Sequence, residues 1–252
     1  MVHGYGHLVE AIVMVAIRGN FFEMQLGGDY QFKLNYADVY AGSMFNYTRN
    51  MLQGDNTNIQ SDGFGLGGYA SMLFHNGFYL DSVLRYVRYI NNTNISFVPS
   101  GGAVIPMRNN SGINSLIFSV EGGYRYMFMN AYYVEPQIEF ITGYIGSVTI
   151  GNPQIYLTLQ SSTPLSGKVS LFSGKQAKFG ASSIFDSLGF RVGFGYAFDM
   201  KAYGDRVLSG LNGSKFYKGI QDQRMFVNLG TGYILGNSHR FNFELKRSFL
   251  VN

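Results

Sequence analysis

The sequence contains no cysteine and no tryptophan, and only 13% of its 252 residues are charged. The absence of cysteine excludes disulfide bonds, zinc–thiolate sites and cysteine nucleophiles. An average soluble domain has about 25% charged residues. Aromatic residues, by contrast, make up 16% of the chain, and 33 residues are glycine. This composition indicates that much apolar surface faces something other than water.

Long apolar runs are also missing. No stretch reaches the ~18 uninterrupted apolar residues that a helical membrane span needs, and the best candidate, residues 8–17, contains Glu10. The formal net charge is only +4, and no block of lysine and arginine occurs. These two observations exclude a polytopic helical membrane protein and disfavour nucleic acid as a partner.

The sequence does contain clear period-2 alternation, which predicts strands with one apolar and one polar face. In the run that starts at Leu188, one face is made of large apolar residues and the other mainly of glycine with Arg191. Similar runs start at Phe22, Leu116 and Tyr132. Each is long enough to supply the ~9–11 residues with which a tilted strand crosses a membrane.

Alternation alone fits both a soluble β-sandwich, with its apolar face inside, and an outer-membrane barrel, with its apolar face outside. Three features favour the barrel. The runs exceed the usual strand length of ~5–6 residues. The polar face is rich in Gly, Glu, Arg, Gln and Tyr. Aromatic residues cluster at strand ends, such as Tyr86 and Tyr89, where Tyr and Phe would form the interfacial girdles in the absence of Trp.

The connections between the runs alternate between short and long. Short connections are predicted at Asn35, residues 75–77, Asn130, residues 199–201 and residues 236–238. Long connections are predicted over residues 50–62, 92–114, 149–183 and 209–222. This order is typical of an all-β, antiparallel, up-and-down transmembrane β-barrel, with tight turns at one end and long loops at the other. We count ten clear strands and a doubtful one within residues 5–17. The pattern leaves open whether residues 166–179 fold over or into the lumen.

The charged residues of the polar faces are the candidate site. Eight side chains are predicted to face the lumen, and among them Glu121, Arg125 and Glu135 are the expected neighbours. Paired carboxylates are compatible with glycosidase or protease chemistry, but carboxylates alone specify no reaction, and a structural network of ion pairs and hydrogen bonds is favoured. The eight predicted lumen-facing residues are Glu23, Asp29, Arg85, Glu121, Arg125, Glu135, Glu139 and Arg191.

No catalytic, cofactor-binding or metal-binding residues are predicted. Gly63-x-Gly65-x-x-Gly68 matches a dinucleotide-binding fingerprint. That fingerprint requires a following helix, whereas here it lies within an alternating strand, so small lumen-facing residues explain it better. The four histidines show no metal-ligand spacing.

Several segments carry a resemblance to a known family. The most specific is Tyr133-Val134-Glu135-Pro136-Gln137, which follows Val120-Glu121-Gly122-Gly123-Tyr124-Arg125-Tyr126. With Leu26-Gly27-Gly28-Asp29-Tyr30, the segment Gly63–Ala70 and Leu188-Gly189-Phe190-Arg191, these resemble the translocator β-domain of autotransporters (type V secretion), close to the vacuolating-cytotoxin-like group. The likeness covers residues 21 to 250.

This resemblance implies a twelve-stranded barrel in the bacterial outer membrane that anchors an N-terminal passenger and helps to export it. The implied partners are outer-membrane lipid, the barrel assembly machinery and the passenger. We expect residues 1–20 to be an atypical segment with a damaged first strand and residues 21–252 to be a barrel that lacks its last strand. The alternatives are a stand-alone porin or adhesin barrel and, less favoured, a soluble β-sandwich binding module.

Overall fold

The computed structural model describes residues 10–16, 20–54, 57–97, 105–128, 131–151, 155–178, 187–201, 204–210, 213–219, 221–235 and 239–250. The regular structure over these residues consists of β-strands. The described residues include no helix long and apolar enough to cross a membrane.

The strands differ widely in length. The four from β3 to β6 have 18 to 20 residues each, far more than the ~9–11 that cross a hydrocarbon layer. The strands are β1 (Glu10–Ala16), β2 (Asn20–Lys33), β3 (Ala37–Gly54), β4 (Thr57–Phe74), β5 (Phe78–Phe97), β6 (Ile105–Tyr124), β7 (Tyr126–Phe128), β8 (Tyr132–Ile145), β9 (Val148–Gly151), β10 (Ile155–Leu159), β11 (Leu165–Lys178), β12 (Ser187–Lys201), β13 (Arg206–Gly210), β14 (Gly213–Tyr217), β15 (Gln223–Leu235) and β16 (His239–Leu250).

Twelve of these strands form one sheet that closes on itself. Its order is β11-β12-β15-β16-β1-β2-β3-β4-β5-β6-β8-β7, and a further pairing of β8 with β11 joins the two ends. The short β7 continues β6 along the same neighbour, β8. All neighbours run antiparallel except β1 and β16, which run parallel over two residue pairs. The result is a β-barrel rather than a two-sheet sandwich, so the predicted fold class is confirmed.

The two faces of this sheet have the polarity of a membrane barrel. Large apolar side chains on alternate positions are exposed, as shown by Leu66 at 67% and Phe194 at 64%. Polar side chains on the opposite face are buried, as shown by Asn46 at 0% and Asn228 at 2%. A soluble β-protein has the reverse arrangement, because removing the apolar face from water lowers the free energy.

Glycines make room for aromatic rings on the inner face. Gly193 of β12 pairs with Phe172 of β11, and a Cβ atom at Gly193 would overlap the Phe172 ring. Gly195 meets the ring of Phe226 on β15 in the same way. Phe172 and Phe226 are 4% and 2% exposed. Glycine at positions 193 and 195 is therefore a packing requirement.

Two of the predicted short connections are confirmed. Residues 34–36 join β2 to β3, and residues 75–77 join β4 to β5. Gly77 has a φ of 97°, a conformation that favours glycine, and its carbonyl accepts the Arg125 amide at 2.8 Å. The turns predicted at Asn130 and at residues 236–238 lie outside the described residues.

The prediction that residues 50–62 and 92–114 are loops is wrong, because most of these residues belong to strands. β3 continues to Gly54 and β4 begins at Thr57, while β5 continues to Phe97 and β6 begins at Ile105. These residues are polar and lack the apolar alternation by which a half-buried strand is recognised. They pair as strands nevertheless, because the backbone hydrogen bonds between β3 and β4 and between β5 and β6 continue from the barrel to the ends of each hairpin.

A barrel strand was missed within residues 149–183. β11 pairs with β8 on one side and with β12 on the other. Its outward face includes Ser173 and Lys175 and its inner face includes Phe172, which obscures the alternation. The turn predicted at residues 199–201 is instead the end of β12. The prediction placed this end of the strand on the side of the tight turns, whereas the antiparallel pairings of β8, β11 and β12 place it on the side of the long connections.

The remaining strands form a second, four-stranded sheet, in the order β14-β13-β10-β9. Two separate connections build it: the one between β8 and β11 supplies β9 and β10, and the one between β12 and β15 supplies β13 and β14. Val148 and Ile150 of β9 are buried and pack with Ile113 of β6, Ile155 and Leu159. A small apolar core thus attaches the first connection to the end of the barrel, and the pairing of β10 with β13 attaches the second connection to the first.

The glycine–ring packing can be tested on a single strand. Gly193→Ala should destabilise the barrel by about 1–3 kcal/mol, because the added methyl group overpacks against Phe172. Gly189→Ala, on the same face of β12, is the matched control, since a Cβ there lies 3.7 Å from its nearest neighbour. The measurement is urea unfolding in detergent followed by far-UV circular dichroism. Equal stability of the two variants would contradict the packing argument.

Candidate functional site

Three glutamates of the inner face lie together on adjacent strands. Glu121 of β6 pairs directly with Glu139 of β8, and Glu135 lies four residues before Glu139 on the same face. Alternate positions on a strand point the same way, which brings all three carboxylates to one side of the sheet. We refer to these three residues, with Tyr79, Arg125, Gln137 and Lys168, as the carboxylate cluster.

Glu135 is the most buried member, with a side chain that is 3% exposed. Its carboxylate accepts hydrogen bonds from Arg125 Nε and, at 2.7 Å, from Gln137 Nε2. The Tyr79 hydroxyl donates to it at 3.5 Å and to Glu121 at 3.0 Å. Arg125 also lies over the Tyr133 ring, 4.7 Å from its centre. A buried carboxylate is tolerated only with such compensation.

Lys168 of β11 resolves a like-charge contact. Carboxylates directly opposite each other in a sheet repel, and Glu121 and Glu139 are opposite each other. The Lys168 ammonium lies 2.5 Å from a Glu139 oxygen and 3.9 Å from a Glu121 oxygen. Lys168 therefore links β11 to β6, two strands that are not paired with each other, through the carboxylate of Glu121.

These contacts reach across intervening strands. Tyr79 on β5 reaches Glu135 on β8, past β6, and Lys168 on β11 reaches Glu121 on β6, past β8. Side chains can span a neighbouring strand in this way on the concave side of a curved sheet, where they converge. The carboxylate cluster therefore lies on the inner side of the barrel.

The other predicted site residues are spread around the same face. Asp29 of β2 accepts a hydrogen bond from the Tyr69 hydroxyl at 2.6 Å. Arg85 lines a cavity with Glu139 and with Gln25 of β2. Arg191 lies over the Phe172 ring, 5.0 Å from its centre. Glu23 lies within β2, but its side chain is outside the described part of the structure.

A second inner-face group is polar but not charged. Asn46 and Thr48 of β3 and Ser115 of β6 are at most 5% exposed. Both amide atoms of Asn46 and the hydroxyl oxygens of the other two have no hydrogen-bond partner among the described residues. Buried polar atoms are nearly always satisfied in native proteins, so these atoms need a partner, such as water, that the described residues do not supply.

The side chains of the cluster hold one another in place. Each of its three carboxylates faces a cation or a hydrogen-bond donor from another strand. Such fully partnered networks rigidify a site and specify its geometry. The described residues include no group of three or more side chains that could hold a metal ion.

Lys168, Tyr79 and Gln137 were not among the predicted site residues. Lys168 was missed because its strand, β11, was not recognised. Tyr79 and Gln137 have a readable signal, since each occupies the same face as a predicted residue on its own strand. Tyr79 shares a face with Arg85, and Gln137 with Glu135 and Glu139.

Removal of the bridging cation should be costly. Lys168→Met leaves Glu121 and Glu139 facing each other, and we expect a loss of about 1–3 kcal/mol in unfolding free energy. The double variant Lys168→Met/Glu139→Gln should recover part of this loss, because it removes the repulsion. Urea unfolding in detergent measures both.

Lys175→Met is the control for this experiment, because Lys175 is a cation of the same strand that lies over the Tyr132 ring, 4.7 Å from its centre. It should cost less than Lys168→Met. The loss of stability in the double variant is compared with the sum of the losses in Lys168→Met and Glu139→Gln. If the two were equal, the proposed repulsion would be refuted.

Comparisons with known proteins agree with this geometry. The Autotransporter beta-domain family model matches residues 2–246. The β-domain of the Bordetella autotransporter BrkA superposes with a TM-score of 0.72, at 19% identity, over 92% of this chain and 85% of that one.

Among curated proteins, the serine protease EatA of Escherichia coli is 30% identical over 92% of the chain and 16% of its own length. The serine protease EspC of E. coli is 29% identical over 91% of the chain and 17% of its own length. The chain thus spans about one sixth of the length of these relatives. The match to the family model over nearly all of the chain and the closed barrel together show that the chain belongs to the autotransporter β-domain family.

Proposed function

We propose that this chain is the translocator barrel of an autotransporter, which anchors an N-terminal passenger in the bacterial outer membrane and helps to export it. The observation that carries the proposal is the inverted polarity of a closed barrel: an apolar outer face and a polar, charged inner face. The family membership supports the same conclusion. The proposed partners are outer-membrane lipid, the barrel assembly machinery and the passenger itself.

The outer face supports insertion into lipid. One row around the barrel shows Phe45, Leu66, Tyr86, Leu116 and Tyr144 on neighbouring strands, each 38% to 67% exposed. Exposed apolar patches of this extent mark contact with a partner or a membrane. In a barrel whose backbone groups are paired from strand to strand, lipid is the partner that can cover every side.

The inner face supports a polar occupant. The unpartnered atoms of Asn46, Thr48 and Ser115 belong to buried side chains. A segment of passenger within the lumen would lie against the polar inner face to which these side chains belong. The carboxylate cluster would then act as a fixed, charged wall along which this segment lies.

We propose no catalytic role for the chain. The relatives are named serine proteases, but that activity belongs to proteins about six times as long as this chain. The carboxylate cluster is better explained as a structural network, because every carboxylate in it is partnered from a neighbouring strand.

The apolar outer face predicts a position-dependent effect of charge. Leu66→Arg should oppose insertion by about 1–2 kcal/mol, because it places a cation against hydrocarbon one row from the level of Arg88, where the cost is below its value at the bilayer midplane. Gln60→Arg is the matched control on the same strand and the same face, six residues away and beside Asp62. The measurement is the folded fraction recovered in phosphatidylcholine vesicles. Equal insertion of the two variants would mean that Leu66 does not face lipid.

Export is tested in cells. A secretory signal and an epitope-tagged passenger are fused in frame before residue 1, and the tag is probed with protease added outside intact cells. We expect the tag to become accessible when the barrel is present and to stay protected with Leu66→Arg. Assembly of the barrel is followed in the same cells by its resistance to SDS without heating.

An assembled barrel that leaves the tag protected would contradict translocation. In that case, a stable ion conductance in planar bilayers would identify a stand-alone porin.

A further inference from the structure

On β5 and β6, the outward face changes from mostly apolar to mostly polar beyond the row of Arg88 and Asn114. Below this row, Leu84, Tyr86, Leu116 and Phe118 are exposed apolar or aromatic residues. The row itself pairs Arg88 with Asn114. Directly above it lies Ile90, which is 49% exposed and pairs with Gly112; the outward positions beyond carry amides and a second arginine. We call the polar and charged residues of this surface the rim patch: Arg88, Asn92, Asn94, Arg108, Asn110 and Asn114.

The rim patch is positively charged over a long stretch of chain. No acidic residue occurs between Asp81 and Glu121, so the halves of β5 and β6 that carry the rim patch contain no acid. The nearest acid on the outer face is Asp62 of β4, which lies 3.8 Å from Arg49 and accepts from Tyr47 at 2.8 Å. The charges of Arg88 and Arg108 are therefore not cancelled by acids of their own hairpin.

Arg88 is held in a defined position. Its Nη1 donates to Asn114 Oδ1 at 3.0 Å, and the Tyr86 hydroxyl donates to the same oxygen at 2.8 Å. Gly112 lies beside it, where a Cβ would be 2.9 Å from Arg88 Nη2 and 3.3 Å from Cζ. The absence of a side chain at Gly112 lets the guanidinium lie across the sheet surface. Nη1 of the guanidinium is thus held by Asn114, while Nη2 lies beside Gly112.

We infer that the rim patch binds the phosphorylated sugar headgroup of a glycolipid. Arginine matches phosphate through parallel N–H···O bonds, and the amides of Asn92 and Asn110 can both donate to and accept from sugar hydroxyls. The apolar row directly below would contact the acyl chains of the same molecule. This inference rests on the proposed function only in placing the extended hairpins at the outer surface.

A simple anionic phospholipid fits the patch less well. Its phosphate would satisfy Arg88, but it offers few hydroxyls to the amides of Asn92, Asn94 and Asn110. These amides lie in the second and third outward rows beyond Arg88, about 13–20 Å along the strands, and the first row is Ile90 with Gly112. A headgroup that satisfies both parts of the patch must carry phosphate and several hydroxyl or amide groups.

The test is native mass spectrometry of the full chain, folded in non-ionic detergent. The probes are a bisphosphorylated diglucosamine lipid, its dephosphorylated form and phosphatidylglycerol. We expect preferential binding of the phosphorylated glycolipid. Arg88→Gln should weaken that binding about tenfold, the size of one charge-assisted hydrogen bond. Lys175→Gln is the control and should leave binding unchanged. Lys175 is an outward cation of β11 that lies at the end of the barrel opposite the rim patch.

Asn110→Leu is a second variant that keeps both arginines, and it should weaken binding about three- to tenfold. It decides the matter if Arg88→Gln does not fold. Equal binding of phosphatidylglycerol, or unchanged binding by both variants, would overturn the inference. Binding in detergent needs only a folded barrel, so a barrel that binds glycolipid but does not export a passenger would contradict the proposed function alone.

Discussion

The backbone hydrogen bonds around the closed sheet are the constraint on which the rest of this structure depends. A strand in a non-aqueous surrounding must satisfy its N–H and C=O groups on both edges, and only a closed barrel provides two neighbours for every strand. The pairing of β8 with β11 completes the ring on one side. On the other, β1 and β16 meet in parallel over only two residue pairs, which makes this the least extensive contact in the ring.

Closure also sets what the inner face can contain. Side chains on the concave side converge, so large residues need small ones opposite them, as Phe172 and Gly193 illustrate. Charged residues on this side cannot all be left to water, and the carboxylate cluster combines donors from β5, β8 and β11 with Arg125, which lies between β6 and β7. The barrel wall is thereby stabilised by contacts between strands that are not neighbours, which a flat sheet could not form.

The long strands give the outer face two zones. β3 to β6 extend well past the length that a hydrocarbon layer requires, and on β5 and β6 the outward positions become mostly polar beyond Arg88 and Asn114, with Ile90 as the exception. The same ladder of hydrogen bonds continues through both zones, so the change is one of side chains and not of backbone. This continuity places a rigid polar surface directly beside the apolar one, where a headgroup would lie above its acyl chains.

Much of this fold could be predicted from the sequence alone. The low charge, the alternation of Leu188 to Phe198 and the short turns at Asn35 and Gly77 are local properties, and they determine strand identity, face polarity and fold class. The candidate residues Glu121, Arg125, Glu135 and Glu139 were also readable, because alternation assigns a face to each residue of a strand.

What only the tertiary structure decided is which residues meet. β11 is a barrel strand because β8 and β12 pair with it on both edges, although Phe172 and Lys175 break its alternation. The polar ends of β3 to β6 are strands because their hairpin partners continue the ladder, which no local pattern reports. Lys168 bridges Glu121 and Glu139 because curvature brings β6 and β11 within reach of one side chain. Strand faces are determined locally, whereas register, closure and contacts across a strand are properties of the whole sheet.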